Sequence, residues 1–178
     1  STHQSEEIFI AKLHQDMKKY EKKLITIIIP RHINRSAKII NDIQKFNLKV
    51  VTRSSNKKIR RDTDIYLVDT YGESNKFYNL SNVTFVGGSI VNHGGQNPLE
   101  PARSGNYIIN GPNTSNFKEI YAFLKKNNIS KTTSNFKEMK KIILKKLNSS
   151  ISKQNKNKIF KIGDQILNKN IFYLKKYI

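Results

Sequence analysis

The residues best suited to chemistry lie between Phe85 and Pro101, FVGGSIVNHGGQNPLEP. A short apolar strand, Val83 to Val86, ends in Gly87-Gly88-Ser89, passes a second glycine pair at Gly94-Gly95, and enters Asn97-Pro98-Leu99-Glu100. That tetrapeptide reads as a helix start, with Asn97 as N-cap and Pro98 as first helical residue, where a missing N–H costs nothing. Glycine lets the backbone approach a ligand closely, and a helix N-terminus offers free N–H groups and a positive dipole end to an anion. The pattern predicts a phosphate site, with a purely structural strand-to-helix turn as the competing reading.

Two further clusters carry reactive side chains. Arg31, in Pro30-Arg31-His32, offers a planar charged fork suited to a phosphate or to the acceptor edge of a base, or else to an ordinary loop salt bridge. His32 beside it is either an anion contact or a packed, hydrogen-bonded ring. Glu100 and Glu73 each stand near a helix start, where a carboxylate complements the dipole or accepts from the two hydroxyls of a ribose. Other chemistries lack their motifs. The four histidines (His3, His14, His32, His93) are dispersed with no HxxxH pattern, so no metal site is expected. No G-x-S-x-G elbow surrounds Ser89, and Gly94-Gly95 does not lead into Gly-Lys-Ser/Thr.

Positioning these clusters requires strands that end where they begin. After a helical pattern carrying Ile8, Leu13 and Met17, the run Leu24 to Ile29 (LITIII) is a β-branched segment suited to a buried parallel strand, and it stops at Pro30. A helix follows to about Phe46, then strands at Leu48–Thr52 and Ile65–Val68 flank a polar, basic loop. Asp69-Thr70-Tyr71-Gly72-Glu73 leads into a short helix to Leu80. Beyond the central block, Tyr107–Asn110 is a strand broken by Gly111-Pro112, and Ser115 caps a helix from Asn116 to Lys126. An extended piece near Ile129–Thr132 and a helix from about Asn135 to Leu147 come next. From Ser150 onward the pattern is helical again.

Alternating strands and helices predict an α/β fold with a Rossmann-like open parallel sheet covered by helices on both faces. Ligands of such sheets bind beyond the carboxyl ends of the strands, which is where all three clusters fall.

At 178 residues the chain suits a single domain spanning 1–178. It has no cysteine, so disulfides and thiolate metal sites are excluded. No apolar run approaches the length of a membrane span, and nothing in the sequence resembles a signal peptide. The net charge of +20 comes from 33 basic against 13 acidic residues. Lys, Asn and Ile are all encoded by A/T-rich codons, so codon bias explains much of it; an anionic partner such as nucleic acid, an acidic membrane or a phosphorylated substrate is the alternative. A nucleic-acid module would show clustered Arg or aromatics interleaved with basic residues on a sheet face, and neither occurs.

Taken together, Pro30-Arg31-His32, Asp69-Thr70-Tyr71-Gly72-Glu73 and FVGGSIVNHGGQNPLEPA resemble, in order and spacing, the carboxyl-terminal half of the 3-deoxy-D-manno-octulosonic acid (Kdo) transferases of lipopolysaccharide synthesis. Gly111-Pro112 followed by Asn116-Phe117 matches as well, and the opening Ser1-Thr2-His3 with Glu6-Glu7 is similar to the family's first strand-to-helix turn in this domain.

The resemblance implies the second domain of a GT-B glycosyltransferase, one that binds CMP-Kdo and serves transfer of Kdo to the phosphorylated lipid A precursor at the cytoplasmic face of the bacterial inner membrane. By position, Pro30, Arg31, Tyr71, Gly72, Glu73, Asn97, Pro98, Leu99 and Glu100 line the CMP site. His32, Gly88, Ser89, Gly94 and Gly95 line the donor site. No cofactor or metal is implied, and nucleic acid is not a partner. The family's general base lies in the amino-terminal domain, so this chain is expected to be a soluble fragment without a catalytic residue of its own. The alternatives are a GT-B domain for another nucleotide sugar and a basic nucleic-acid-binding module. Gln96 stands where the family usually has His, and Tyr71 where it often has Met. The segment 153–178 is expected either to cross back onto the amino-terminal domain or to complete this domain's own core.

Overall fold

The computed structural model describes residues 1–147 and 151–174. Helix α1 (Glu6–Met17) precedes strand β1 (Thr26–Ile28), followed by a 3-10 turn (Ile33–Arg35), α2 (Ser36–Gln44), β2 (Val50–Thr52) and β3 (Ile65–Leu67). The second half runs α3 (Ser74–Tyr78), β4 (Val83–Val86), α4 (Leu99–Arg103), β5 (Tyr107–Asn110), α5 (Lys118–Lys126), β6 (Ser130–Thr132), α6 (Phe136–Leu147) and α7 (Ile151–Leu174). Ser115 does not cap α5 as expected; it opens a 3-10 turn (Ser115–Phe117), and the helix starts after it.

All pairing is parallel, as the β-branched runs predict, but the strands form two separate three-stranded sheets. One has the order β1-β3-β2 and the other β4-β5-β6. Ile65, Leu67 and Val68 are completely buried at the centre of the first, and Ile108 and Ile109 at the centre of the second. Such near-continuous apolar strands belong to a sheet covered on both faces. Ile10, Leu13 and Met17 of α1 share one core with Ile39 and Ile43 of α2 and with Met139 of α6. Val86, Ala102, Tyr121, Leu124 and Ile129 form a second core, against which Ile159 of α7 packs. Lys158 of α7 also donates to the Asn127 carbonyl (2.6 Å), so this stretch of α7 rests on the domain's own elements; residues 175–178 of the segment discussed above lie outside the described residues. No helix among the described residues is long and apolar enough to cross a membrane.

Beneath the first sheet, His14 is completely buried. Its Nδ1 lies 2.9 Å from Thr26 Oγ1 and its Nε2 3.5 Å from the Asp64 carboxylate, which also takes Lys18. Burial disfavours the imidazolium and holds the His14 pKa below its ordinary 6.5. The unfolded chain therefore binds more protons just below pH 6.5, and this contribution is present above that pH and lost as pH falls. Urea unfolding followed against pH should show stability declining from about pH 6.5 downward, at up to ~1.4 kcal/mol per unit, with a shallower decline in His14→Gln.

Candidate functional site

The opening turn of the chain ties two of the predicted clusters together. Thr2 donates its N–H to the Ile29 carbonyl and accepts from the Arg31 N–H, both at 2.9 Å, forming a parallel bridge onto Pro30. His3 stacks on His93 with ring centroids 4.3 Å apart and meets His32 edge-on at 6.4 Å. Its Nε2 lies 2.9 Å from Gln96 Nε2. Withdrawal from water, with His93 adding to it, holds the His3 pKa below 6.5.

Glu6, in the first turn of α1, is almost completely buried. Its carboxylate accepts the backbone N–H groups of His3 (2.9 Å), Gly88 (2.8 Å), Ser89 (3.1 Å) and Ile90 (3.1 Å). Three consecutive amides facing one acceptor make an anion-binding nest. The turn after β4 thus has the phosphate-cradle geometry its glycines imply, but an internal carboxylate fills it. Ser89 is buried behind the turn, donating its hydroxyl to the Val86 carbonyl (2.5 Å) and accepting from the Gly111 N–H (2.8 Å). Glu7 next to Glu6 is held by a bidentate contact from Arg35 (3.1 and 3.2 Å) and by the Thr2 hydroxyl (3.0 Å).

From this base the loop runs outward and returns. Gly95 N–H and Gln96 N–H donate back to the Gly88 and Gly87 carbonyls, and Asn116 fastens Gly94 and His93 from outside. Gly94 (φ +74°) leaves no room for a side chain, since a Cβ there would lie 2.5 Å from Asn116 Oδ1. The N-cap of α4 is Pro98 rather than Asn97, and the helix begins at Leu99; Asn97, one residue earlier, still accepts the Leu99 N–H on its Oδ1 at 2.9 Å.

Of the two carboxylates weighed for a ribose, the structure separates the environments. Glu100 is exposed on α4. Glu73 is half-buried and enclosed by donors: the Thr70 hydroxyl at 2.6 Å, the Arg53 fork at 3.1 and 3.2 Å, and Lys76 at 3.2 Å. Those hydrogen bonds, Thr70's first, bring its pKa down to about 2. Arg31, His32, Tyr71 and Gly72 are exposed, Asn97 is exposed, and Pro30, Pro98, Gly88, Gly94 and Gly95 are buried. Burial lowers the pKa of the Ser1 ammonium to about 6, a fall that the charges of Glu6 and Glu100 oppose and that of Arg31 adds to. Helix α3, which follows the Tyr71–Glu73 turn, packs on α4. Among the described residues, no group of three or more His, Cys, Asp or Glu is placed to hold a metal ion.

Sequence reasoning missed three residues of this arrangement. His3 and Glu6 work across more than eighty positions, and a first-turn glutamate ordinarily signals only dipole complementation. Arg53 sits at the carboxyl end of β2, the same topological position as Arg31 after β1, and that position was its available signal.

No family model matches the chain. It is 36% identical over 124 residues, 70% of its length, to the 3-deoxy-D-manno-octulosonic acid transferase of Haemophilus influenzae. It is 32% identical over 84% of its length to the enzyme of the same name from Rickettsia prowazekii. These alignments take in 29% and 32% of the two relatives, so the chain spans about a third of their length. Among solved structures, the C-terminal CMP-Kdo binding domain of WaaA from Acinetobacter baumannii superimposes with a TM-score of 0.82 at 31% identity, over 91% of this chain and 85% of that one. Sequence and fold agree over nearly the whole domain, and the chain belongs to the Kdo transferase family, as its carboxyl-terminal domain.

Proposed function

We propose that this chain is the nucleotide-sugar half of a GT-B Kdo transferase and that it binds CMP-Kdo at the turns after β1, β3 and β4. The observation that carries the reading is the likeness, over 91% of the chain, to a domain described as binding CMP-Kdo, and Arg31 and Glu100 are both exposed. Arg31 and the Tyr71-Gly72 backbone take the cytosine side, and Glu100 accepts from the ribose hydroxyls. The phosphate lies at the opening of α4. Asn97 already occupies the Leu99 amide there, which leaves the Glu100 N–H for the ligand. A CMP-linked donor has one phosphate and no pyrophosphate, so backbone dipoles suffice to stabilise its leaving charge without a metal. His32 and the Gly88–Gly95 loop border the sugar.

Transfer to the phosphorylated lipid A precursor needs a general base, and we place it in an amino-terminal domain that works with this one at the cytoplasmic face of the inner membrane. This chain alone is then a binding unit that does not transfer sugar, and its lysine-rich surface favours an anionic membrane.

An NMR titration with CMP, using UMP and AMP as controls, tests the assignment. CMP should shift the amides of Gly72, Glu73, Leu99 and Glu100 selectively. Glu100→Gln should weaken CMP binding about tenfold or more, the equivalent of ~1.4 kcal/mol. Equal or stronger response to another nucleotide would point to another nucleotide sugar. Silence of these amides with any nucleotide in the folded protein would overturn the site.

A further inference from the structure

The turn between β3 and α3, residues 69–73, has little of its own to hold it. Tyr71 is 73% exposed, and no atom stands within 4 Å of where a Cβ on Gly72 would lie. Among the described residues, no N–H of residues 70–72 donates to another part of the chain. A tip with so few contacts samples many conformations unless side chains fix it.

Two consecutive residues at the carboxyl end of β2 supply that restraint. Ser54 donates its N–H (2.8 Å) and its hydroxyl (2.5 Å) to the carboxylate of Asp69, which opens the turn. Arg53 sets Nε and Nη2 on the two oxygens of Glu73, which closes it, at 3.1 and 3.2 Å. The Thr70 hydroxyl reaches the same carboxylate at 2.6 Å, so a side-chain bond also spans the tip from within. Arg53 is itself anchored, because its N–H donates to the Leu67 carbonyl of β3 at 2.8 Å. Tyr71 and Gly72 thus form the span between two held carboxylates. A carboxylate has about four lone-pair sites, and Glu73 already accepts from Thr70, twice from Arg53 and from Lys76. No site is left on it for a ribose hydroxyl.

We propose that Arg53 is a positioning residue for the nucleotide: through its fork on Glu73 it fixes the Tyr71-Gly72 peptide groups where they meet the pyrimidine edge. The inference rests on the assignment of the base to this turn. Glu73 then serves the ligand through the shape of the turn, and its carboxylate touches Arg53 rather than the ribose. Lysine at position 53 would bring the charge without the fork, and a point charge does not orient two oxygens at once. A turn released from the clasp has to be ordered anew at each binding event, and fixing one residue costs about tenfold in affinity.

The test compares Arg53→Met, Arg53→Lys and Glu73→Gln with the parent chain. Lys49→Met is the control, because Lys49 pairs with Asp62 at the opposite end of β2. In the free parent, amide relaxation should give Tyr71 and Gly72 order parameters of about 0.85, and Arg53→Met should bring them below about 0.6 while Ile65–Leu67 stays rigid. CMP should bind Arg53→Met about tenfold more weakly. Its preference over UMP should shrink toward unity, which a general loss of stability does not produce. Arg53→Lys should fall between, and Lys49→Met should match the parent. Arg53→Met combined with Glu73→Gln should bind no more weakly than the worse single variant, since both undo one clasp. Unchanged order parameters in folded Arg53→Met would overturn the proposal. Additive weakening in the double variant would do the same by making Glu73 a ligand in its own right, as would parental affinity in Arg53→Lys. Should Arg53→Met not fold, Arg53→Lys carries the same relaxation and selectivity readouts. A parent that ignores CMP while the Arg53→Met turn loosens refutes the base assignment, and with it the purpose of the clasp, but not its grip on the turn.

Discussion

Glu6→Ala should lower the free energy of unfolding by about 4 kcal/mol or more, a large part of the ~5–15 kcal/mol typical of a domain. The substitution removes more than one contact. It leaves four backbone donors, those of His3, Gly88, Ser89 and Ile90, without an acceptor, and Ser89 and Gly88 are buried beyond the reach of water. Each stranded buried donor costs about 1–3 kcal/mol, while a typical satisfied bond contributes only ~1 kcal/mol net. Glu6→Gln retains one acceptor oxygen but turns an NH2 group toward one part of the nest, so about half the loss is expected from it. Urea unfolding measures both, and the Gly88–Ile90 amide signals should disperse or broaden in the alanine variant. An alanine variant within 1 kcal/mol of the parent would show that the nest is satisfied some other way.

Gly87→Ala should be comparably damaging, by about 3 kcal/mol or more, through sterics alone. Its Cβ would stand 2.1 Å from the Ser1 carbonyl oxygen, 2.8 Å from Thr2 Cα and 2.7 Å from Glu6 Oε2. Two of these neighbours are backbone and the third belongs to a carboxylate fixed by four hydrogen bonds, so none can retreat cheaply. Gly72→Ala is the useful comparison. No atom stands within 4 Å of its Cβ, and only the left-handed φ of +77° opposes it, which is worth ~1–2 kcal/mol. Thermal denaturation of the pair separates close approach from backbone conformation. A Gly87→Ala protein as stable as Gly72→Ala would mean that the Ser1–Thr2 segment can move away from β4.

Local signals in the sequence located most of the elements. Strands at Val83–Val86 and Tyr107–Asn110 stand at their expected limits, because β-branched runs closed by glycine or proline leave few alternatives. Asn97 accepts the Leu99 N–H as its residue type implies, while the N-cap itself is Pro98, one residue later than its position implies. What did not show were pairings between distant residues: the division of the strands into two sheets, the Glu6 carboxylate inside the glycine turn, and the Arg53 fork on Glu73. Spacing along a chain encodes periodicity within an element, whereas which carboxylate reaches which amides depends on how whole elements dock. The glycine turn illustrates the limit. Its composition reads as a phosphate site, and nothing local could say that the Glu6 carboxylate fills the turn after β4.

The order in which the chain can fold follows from that same carboxylate. Helix α1 finds its first partners nearby, with His14 on Thr26 only 12 residues away and α2 packed alongside. Its Glu6, by contrast, must wait for residues 82 to 84 positions later, and so long a loop closes slowly because its entropy is spent before any contact repays it. The turn bearing Gly88 and Ser89 therefore gains its final shape only after both halves exist and have met. On a ribosome, the amino-terminal half would emerge and collapse while the turn after β4 was still unmade, so that turn is among the last parts of this domain to take its final shape.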